Sequence, residues 1–314
     1  MLITGIGGFA GSHLAEFALN EQAEVAGTVR PHGSTGNISH LLSDLKLFEC
    51  DMTDKEAVER VVSAFLPDRI YHLAAQSNVH LSWSAPLDTL MNNIAGEIHL
   101  LEAVKTICPS CRVLIAGSSE EYGAVDIEDL PVKETSPLRP MNPYAVSKVT
   151  QDVIGYQYYK SHRLHIVRTR SFHHTGPRRG KGFVTTDFCK QIVEIEQGKR
   201  EPILHVGYLE AIRDFSDVRD VVRGYWMALE NGDAGEAYNI STGIGYSIRG
   251  MLDILLEMTT VPVTIKVNST LLRPVDVPAM IGDYGKLNRQ TGWTPTISLK
   301  QTLADLLEEH RRLL

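Results

Sequence analysis

Tyr144 and Lys148 stand four residues apart in the run Tyr144-Ala-Val-Ser-Lys148, a spacing that puts both on one face of a helix. An ammonium beside a phenol lowers the phenol's pKa, so such a pair can exchange a proton with a substrate near neutral pH. Pairs of this kind are common on solvated helices, and this one takes its meaning from its company. An apolar, strand-like run at 112–116 is followed directly by Gly117-Ser118-Ser119-Glu120-Glu121-Tyr122-Gly123. A hydroxyl at the C-terminal end of a strand lies where open α/β sheets build their sites.

A second constellation opens the chain. Thr4-Gly5-Ile6-Gly7-Gly8-Phe9-Ala10-Gly11 follows a short apolar run and leads into a helical pattern, the context that a dinucleotide fingerprint requires. Glycines there let the backbone turn tightly and approach a pyrophosphate, whose charge then sits on a helix N-terminus. The end of the next strand reads Gly27-Thr28-Val29-Arg30. An NAD enzyme usually carries an acid at that tip for the ribose hydroxyls, whereas a guanidinium suits a 2′-phosphate. The cofactor expected is NADP(H), ahead of NAD(H).

These groups need a scaffold. Apolar runs at 1–4, 24–29, 45–49, 70–73, 112–116 and 164–168 alternate with helical patterns at 9–19, 55–65, 86–106 and 144–160. Such alternation predicts an α/β fold, a Rossmann-type doubly wound parallel sheet with helices on both faces. The opening strand reads as clipped, with three or four residues before its glycine turn, as a late start or a trimmed chain would leave it. The second half is less regular, with loops at 177–182 and 207–213 and helical patterns at 184–197, 218–230, 248–258 and 299–313. It predicts a smaller α/β C-terminal substrate-binding domain. The expected boundaries are 1–172 for the NADP-binding domain, with 214–242 returning to it, and 173–213 plus 243–314 for the substrate-binding one.

Composition narrows the class. The 314 residues are 43% hydrophobic and 22% charged, with a formal net charge of −7, which argues against a general nucleic-acid or membrane-surface binder. No run approaches the ~18 apolar residues of a membrane span, and the start has no signal-peptide pattern. Four cysteines in so long a chain fit a reducing, cytoplasmic compartment. Cys108 and Cys111 have CxxC spacing without a second pair, and read as ordinary thiols. The 12 histidines show no HExxH-like spacing, so no metal site is expected.

Taken together, the motifs resemble the extended short-chain dehydrogenase/reductase family along nearly the whole chain. Thr4–Gly11, Asp51, Leu73-Ala74-Ala75, Asn93, Ser118 and Tyr144/Lys148 occur in the family's order and spacing. The resemblance implies a catalytic triad of Ser118, Tyr144 and Lys148, with Asp51 at the adenine. It implies a cofactor along Gly5, Gly7, Gly8, Phe9, Ala10, Gly11, Arg30, Asp51, Met52, Leu73, Ala74, Ala75 and Asn93, reaching Tyr144 and Lys148. It also implies a homodimer, with the helices of 86–106 and 144–160 pairing in a four-helix bundle.

Within the family the chain is most similar to enzymes of GDP-deoxyhexose synthesis, through Gly117–Gly123, Arg139-Pro-Met-Asn-Pro-Tyr144, Gly182-Phe-Val-Thr185, Lys190–Glu196, Arg213-Asp-Phe-Ser-Asp217 and Leu272-Arg273-Pro274. These segments put the 4-keto reductases ahead of the 4,6-dehydratases. The reading implies NADPH-dependent reduction of a GDP-4-keto-6-deoxy-hexose at Tyr144, with the GDP-sugar against Ser77, Ser119, Glu120, His173, Val184, Lys190, Arg213 and Arg273. Arg213, Arg273 and Lys190 are the expected diphosphate cations, and Arg178 and Arg179 could join them. Two features point to the dehydratase instead: the loop that follows Val29, and Glu120, which in that reading is a fourth catalytic group. Phe172-His173-His174 departs from both, which carry Phe-Asn-His there. A regulator that keeps the fold without the chemistry would be expected to lack the tyrosine or the lysine.

Overall fold

A computed structural model describes residues 1–271 and 277–314. The chain opens with β1 (Leu2–Thr4), α1 (Phe9–Asn20), β2 (Val25–Val29), β3 (Leu45–Glu49), α2 (Lys55–Phe65) and β4 (Arg69–His72). A short α3 (Val79–Ser84), the long α4 (Pro86–Ile107), β5 (Arg112–Ser118), α5 (Pro143–His162) and β6 (His165–Ser171) complete the first half. The strands follow the apolar runs because both faces of this sheet are covered, which favours continuous apolar sequence over alternation.

The second half runs β7 (His173–Thr175), α6 (Val184–Glu196), β8 (Ile203–Val206), β9 (Ile212–Asp217), α7 (Val218–Asn231) and β10 (Ala237–Ile240). It continues with β11 (Gly245–Ser247), α8 (Ile248–Leu256), β12 (Thr264–Val267), β13 (Ala279–Met280), α9 (Gly285–Thr291) and α10 (Leu299–Leu313).

Seven strands form one sheet in the order β3-β2-β1-β4-β5-β6-β10, every pair parallel. This is the doubly wound order with one strand added, and its reversal point lies between β1 and β4. One face packs Ile3, Leu14, Tyr71, Leu114 and Val167 against α1 and α7; the other packs Val58, Leu101, Val113 and Ile166 beneath α2, α4 and α5. β10, at 237–240, is the added strand and pairs with β6 at the sheet's edge.

The smaller body is built on β9, whose neighbours are β7, β11 and β13, while β8 pairs with β12. Its core joins Phe188, Ile192, Phe215, Leu252, Leu303 and Leu307 from α6, β9, α8 and α10. The run 207–213, expected as a loop throughout, ends inside β9. Not all of 243–314 keeps to this body: Leu287 and Trp293 are buried in the core of the large sheet, where the Trp293 indole donates to Asp220 O at 3.0 Å.

Candidate active site

The floor of the site is set by the end of β1. Thr4 Oγ1 accepts the backbone N–H groups of Leu73 and Ala74, both at 3.1 Å, and lies 2.9 Å from His72 Nδ1. The tips of β1 and β4 are thereby locked together across the reversal point. Gly5 adopts φ +71, and a Cβ there would meet the Ala74 backbone at 3.0 Å. At Gly11 a Cβ would stand 2.4 Å from Gly5 O, so only glycine lets α1 start this close to the turn. Gly8 heads α1 with no side-chain cap, and no acid stands in the first turn. The first N–H groups of the helix are left for an anion.

A cleft of about 520 Å³ runs from this cradle along the ends of the strands. Arg30, Asp51 and Met52 line one end, and Leu73, Ala74, Ala75 and Ser77 continue it. Asp51 Oδ1 is occupied by Thr53, accepting from its N–H at 2.9 Å and its hydroxyl at 2.8 Å.

Further along, β5 delivers Ser118 and α5 delivers Tyr144 and Lys148 to the same wall. Asn142 caps α5 by accepting from Ala145 N at 2.8 Å, and its amide donates to Glu120 Oε2 at 2.8 Å. One residue thus starts the helix and fixes the acid. Ser118 Oγ accepts from Glu120 N at 3.2 Å, and Ser118 lines the cleft together with Tyr144. Burial raises the Tyr144 pKa above its usual 10.0, with the nearby Ser118 opposing it. The expected lowering by Lys148 is not what dominates here. Lys148 Nζ donates to Ala116 O at 2.8 Å, and burial lowers its own pKa.

Opposite stands His173, its Nε2 3.9 Å from Glu120 Oε1 and its ring edge-on to Phe215. Ser119, Glu120 and His173 also line a smaller adjoining recess with Trp83, Met141 and Arg213; Arg213 Nη1 donates to Ile212 O at 2.9 Å. Val184 closes the main cleft from α6.

Two expected residues stand elsewhere, and a third is not among the described residues. Asn93 is fully buried, and its amide is used up on Gln76 and Ser147, so it shapes the cleft wall from behind. Lys190 lies on α6 beside Glu194 at 3.6 Å, away from the cleft lining. Arg273 and the Leu272-Arg273-Pro274 run fall outside the described residues.

The adjacent arginines separate. Arg178 binds Glu16 at 2.6 Å and His13 at 2.6 Å, a structural role. Arg179 enters the cleft, its guanidinium carbon 4.6 Å from the Phe9 ring centre and 3.5 Å from that of Phe183. Burial lowers its pKa to about 10, which leaves it a cation at neutral pH. His174 stacks on the other aromatic surface of the cradle, 5.8 Å from Phe9. Tyr225, bonded to Ser171 Oγ at 2.9 Å, completes the lining. A double Arg in a loop, a second His and a tyrosine on α7 carry no local spacing that could have singled them out.

A family model described as GDP-mannose 4,6 dehydratase matches residues 2–306. A GDP-mannose 4,6-dehydratase of Vibrio cholerae is 32% identical over 346 aligned positions, covering 98% of this chain and 92% of that protein. A GDP-6-deoxy-D-mannose reductase of Pseudomonas aeruginosa is 30% identical over 309 positions, covering 98% and 96%. Among solved structures, RMD from Pseudomonas aeruginosa complexed with NADPH superposes with a TM-score of 0.88 at 29% identity, over 100% of this chain and 99% of that one. A Thermus thermophilus UDP-glucose 4-epimerase complexed with NAD gives 0.88 at 28%, over 100% and 99%.

Proposed function

The chain belongs to the GDP-mannose 4,6-dehydratase family, among the extended short-chain dehydrogenase/reductases, and on that premise we propose that it uses NADPH to reduce the 4-keto group of a GDP-4-keto-6-deoxy-hexose. The observation that carries the reading is the convergence of Ser118, Tyr144 and Lys148 on one wall of a cleft that runs back to the glycine cradle. Pairing 98% of the chain with the Pseudomonas reductase takes 309 positions, against 346 with the Vibrio dehydratase. The reductase therefore aligns without the inserted segments that the dehydratase needs.

The residues present fit a dinucleotide: an uncapped helix N-terminus behind glycines that no Cβ could replace, and Arg179 within the same cleft. Gly5–Gly11 and Arg179 would hold the pyrophosphate, Asp51 and Met52 the adenine end, and Arg30 a 2′-phosphate, which favours NADPH over NADH. When bound, the cofactor supplies the hydride. Tyr144 gives its phenolic proton to the keto oxygen as negative charge develops there. Ser118 donates its hydroxyl hydrogen to the same oxygen, since its own oxygen already accepts from Glu120 N. Lys148, buried and cationic, offsets the phenolate that remains. Arg213, in the adjoining recess, pairs with the sugar-nucleotide diphosphate.

Glu120 favours a second reading. Its carboxylate is fixed by Asn142 and faces the cleft, where a 4,6-dehydratase would use it to move protons during loss of water. The test is to give the purified protein GDP-mannose with a trace of NADP⁺, and separately the 4-keto-6-deoxy sugar nucleotide with NADPH, and to follow both by mass spectrometry. The expected result is no change in the first and a gain of two hydrogens in the second, with NADPH consumed one for one. Loss of one water in the first would give the protein the dehydratase reaction instead.

We further propose a homodimer through α4 and α5. Leu87 and Met91 on α4, and Val146, Val153 and Tyr156 on α5, are exposed large apolar side chains at spacings that share a helix face.

A further inference from the structure

Residues 176–183 carry the chain from β7 to α6 and bring Arg179 into the cleft beside Phe9. The backbone bonds of Arg179 are long. Its N–H reaches Gly176 O at 3.3 Å, and its carbonyl accepts from the Thr186 hydroxyl at 3.3 Å, both beyond the usual range. Arg178 is gripped far more closely. Its N–H donates to both carboxylate oxygens of Glu309 on α10, at 2.9 and 2.7 Å. Its guanidinium reaches α1, where it meets Glu16 Oε2 and His13 Nδ1, each at 2.6 Å. A third contact runs from Nη1 to Asn37 O at 3.4 Å, and the Asn37 amide in turn donates to Gly7 O in the cradle at 3.2 Å.

His13 joins these contacts to the cradle. The Pro177 carbonyl can only accept, so its 2.8 Å contact with His13 Nε2 puts the ring proton on that nitrogen. Nδ1 is then the bare nitrogen, and the Arg178 guanidinium, which can only donate, fills it. The same imidazole stands edge-on to Phe9, with 5.7 Å between ring centres, and Phe9 is one of the two rings beside Arg179. Burial, helped by the Arg178 charge, lowers the His13 pKa to about 4, so the ring stays neutral and keeps these contacts at neutral pH. Arg178 itself takes a φ of +68, a left-handed conformation uncommon for a long side chain. At that turn the two neighbouring guanidinium groups part, one to α1 and one to the cleft.

We propose that Arg178 is a positioning residue that acts through Arg179: by clamping residues 176–183 to α1, α10 and Asn37, it holds the Arg179 guanidinium where the pyrophosphate of a dinucleotide would meet it. This rests on reading the cleft as a dinucleotide site. The gain is pre-organisation. A long side chain loses rotamer freedom when it is fixed, and a guanidinium already held between two rings gives up that freedom before the ligand arrives. The segment ends on α6, whose Phe188 and Ile192 belong to the core of the smaller body. Without the clamp Arg179 would follow that body. With it, Arg179 is referred to α1, whose first N–H groups make up the rest of the phosphate site.

The test replaces Arg178 with asparagine, which tolerates a positive φ and lacks the guanidinium, beside Arg179→Ala and the double variant. Two ligands are titrated: NADPH, and adenosine 2′-phosphate, which has no pyrophosphate. Arg178→Asn is expected to weaken NADPH about tenfold and to leave adenosine 2′-phosphate unchanged. The double variant is expected to bind NADPH no more weakly than Arg179→Ala alone, because both changes remove the same contact. Should Arg178→Asn fail to fold, Glu16→Gln on the outer side of α1 is expected to give a smaller loss of the same pattern. A role confined to fold stability would weaken both ligands alike or make the losses add, and either result overturns the proposal. A second readout uses the ligand-free, ¹⁵N-arginine-labelled protein. The Arg179 guanidinium resonance, assigned with Arg179→Lys, is expected to be displaced by the Phe9 and Phe183 rings and to return towards free arginine in Arg178→Asn. An unmoved resonance overturns the proposal as well. Because this readout needs no cofactor, a wild type that binds no NADPH would lose the dinucleotide reading and still decide whether Arg178 places Arg179.

Discussion

The guanidinium carbon of Arg179 stands 3.5 Å from the centre of the Phe183 ring, with Phe9 of the phosphate cradle 4.6 Å away. Two aromatic rings hold a cation within the cleft, and no acidic side chain is bonded to it among the described residues. On the proposed reading, replacing Arg179 with alanine removes a charge-assisted contact to phosphate of about 1.5–3 kcal/mol. NADPH binding, read by fluorescence titration, is expected to weaken about ten- to a hundredfold. Arg179→Lys falls between, since an ammonium keeps the charge and loses the planar stacking. An alanine variant that binds NADPH normally would remove Arg179 from the cofactor site.

On the proposed reading, Arg30 sets the choice between cofactors. Arg30→Ala is expected to weaken NADPH about tenfold while leaving NADH nearly unchanged, because only the former carries the 2′-phosphate. Competition titrations with the two dinucleotides check this. Equal losses for both would mean that Arg30 does not read the phosphate.

Tyr144→Phe keeps the ring and removes the proton. Turnover is expected to fall by about 10²- to 10⁴-fold, with NADPH affinity preserved. Glu120→Gln separates the two chemistries. A reductase keeps most of its rate in that variant, whereas a dehydratase loses sugar-nucleotide dehydration by a similar factor. Steady-state rates on both substrates supply the comparison.

Acid and alkaline conditions are expected to destabilise the fold through different groups. Burial lowers His13 and His174 to about 4 and His72 to about 3, against a usual 6.5. Between pH 6.5 and 4 the unfolded chain binds protons that these rings refuse, so their contribution is lost as pH falls. Glu121 runs the other way. Burial raises it from 4.5 to about 8, and burial raises Glu97 in the same direction. The native state keeps protons there that the unfolded chain gives up, so stability is lost as pH rises from 4.5 towards 8. Four lowered histidines, His165 among them, act against the two acids below pH 6.5, and above it the two acids are opposed by the Met1 amine, which burial also lowers. Thermal melts across pH 5–8 should therefore peak near 6.5, with slopes of about 1.4 kcal/mol per pH unit for each unbalanced proton. A Tm that climbs steadily to pH 8 would contradict this balance.

The exposed apolar side chains of α4 and α5 should be covered in solution. Val153→Glu, at a position 55% exposed in the single chain, would bury a charge at the proposed interface and shift the protein to monomer. Light scattering reads the mass. A wild-type monomer would remove the dimer.

Much of the site was legible because it is local in sequence. The glycine run, the tyrosine–lysine spacing and Ser118 at the end of β5 each declare themselves within eight residues, and the parallel sheet orders them. What escaped was set by backbone or by distance. Arg178 and Arg179 are equivalent as text. Arg178 takes a positive φ of 68° and turns to Glu16 and His13, while its neighbour enters the cleft. Asn93 was expected at the cofactor and is instead spent inside the wall. Three-residue strands such as β7 and β11 are too short for a period to show, and they exist because β9 offers them a ladder. Glu97 gave no signal at all, since an acid on an amphipathic helix reads as solvated until its neighbours are known.

The burial of Trp293 has a bearing on synthesis. Met1, Ile3 and Leu14 share their core with Tyr238, Ile240, Leu287 and Trp293. The half of the molecule that leaves the ribosome first cannot close its own core until Trp293 has emerged. The nascent nucleotide-binding half must wait with its sheet edge at β6 and the α7 side open, so a ribosome stalled before residue 293 would hold a chaperone client rather than a finished domain.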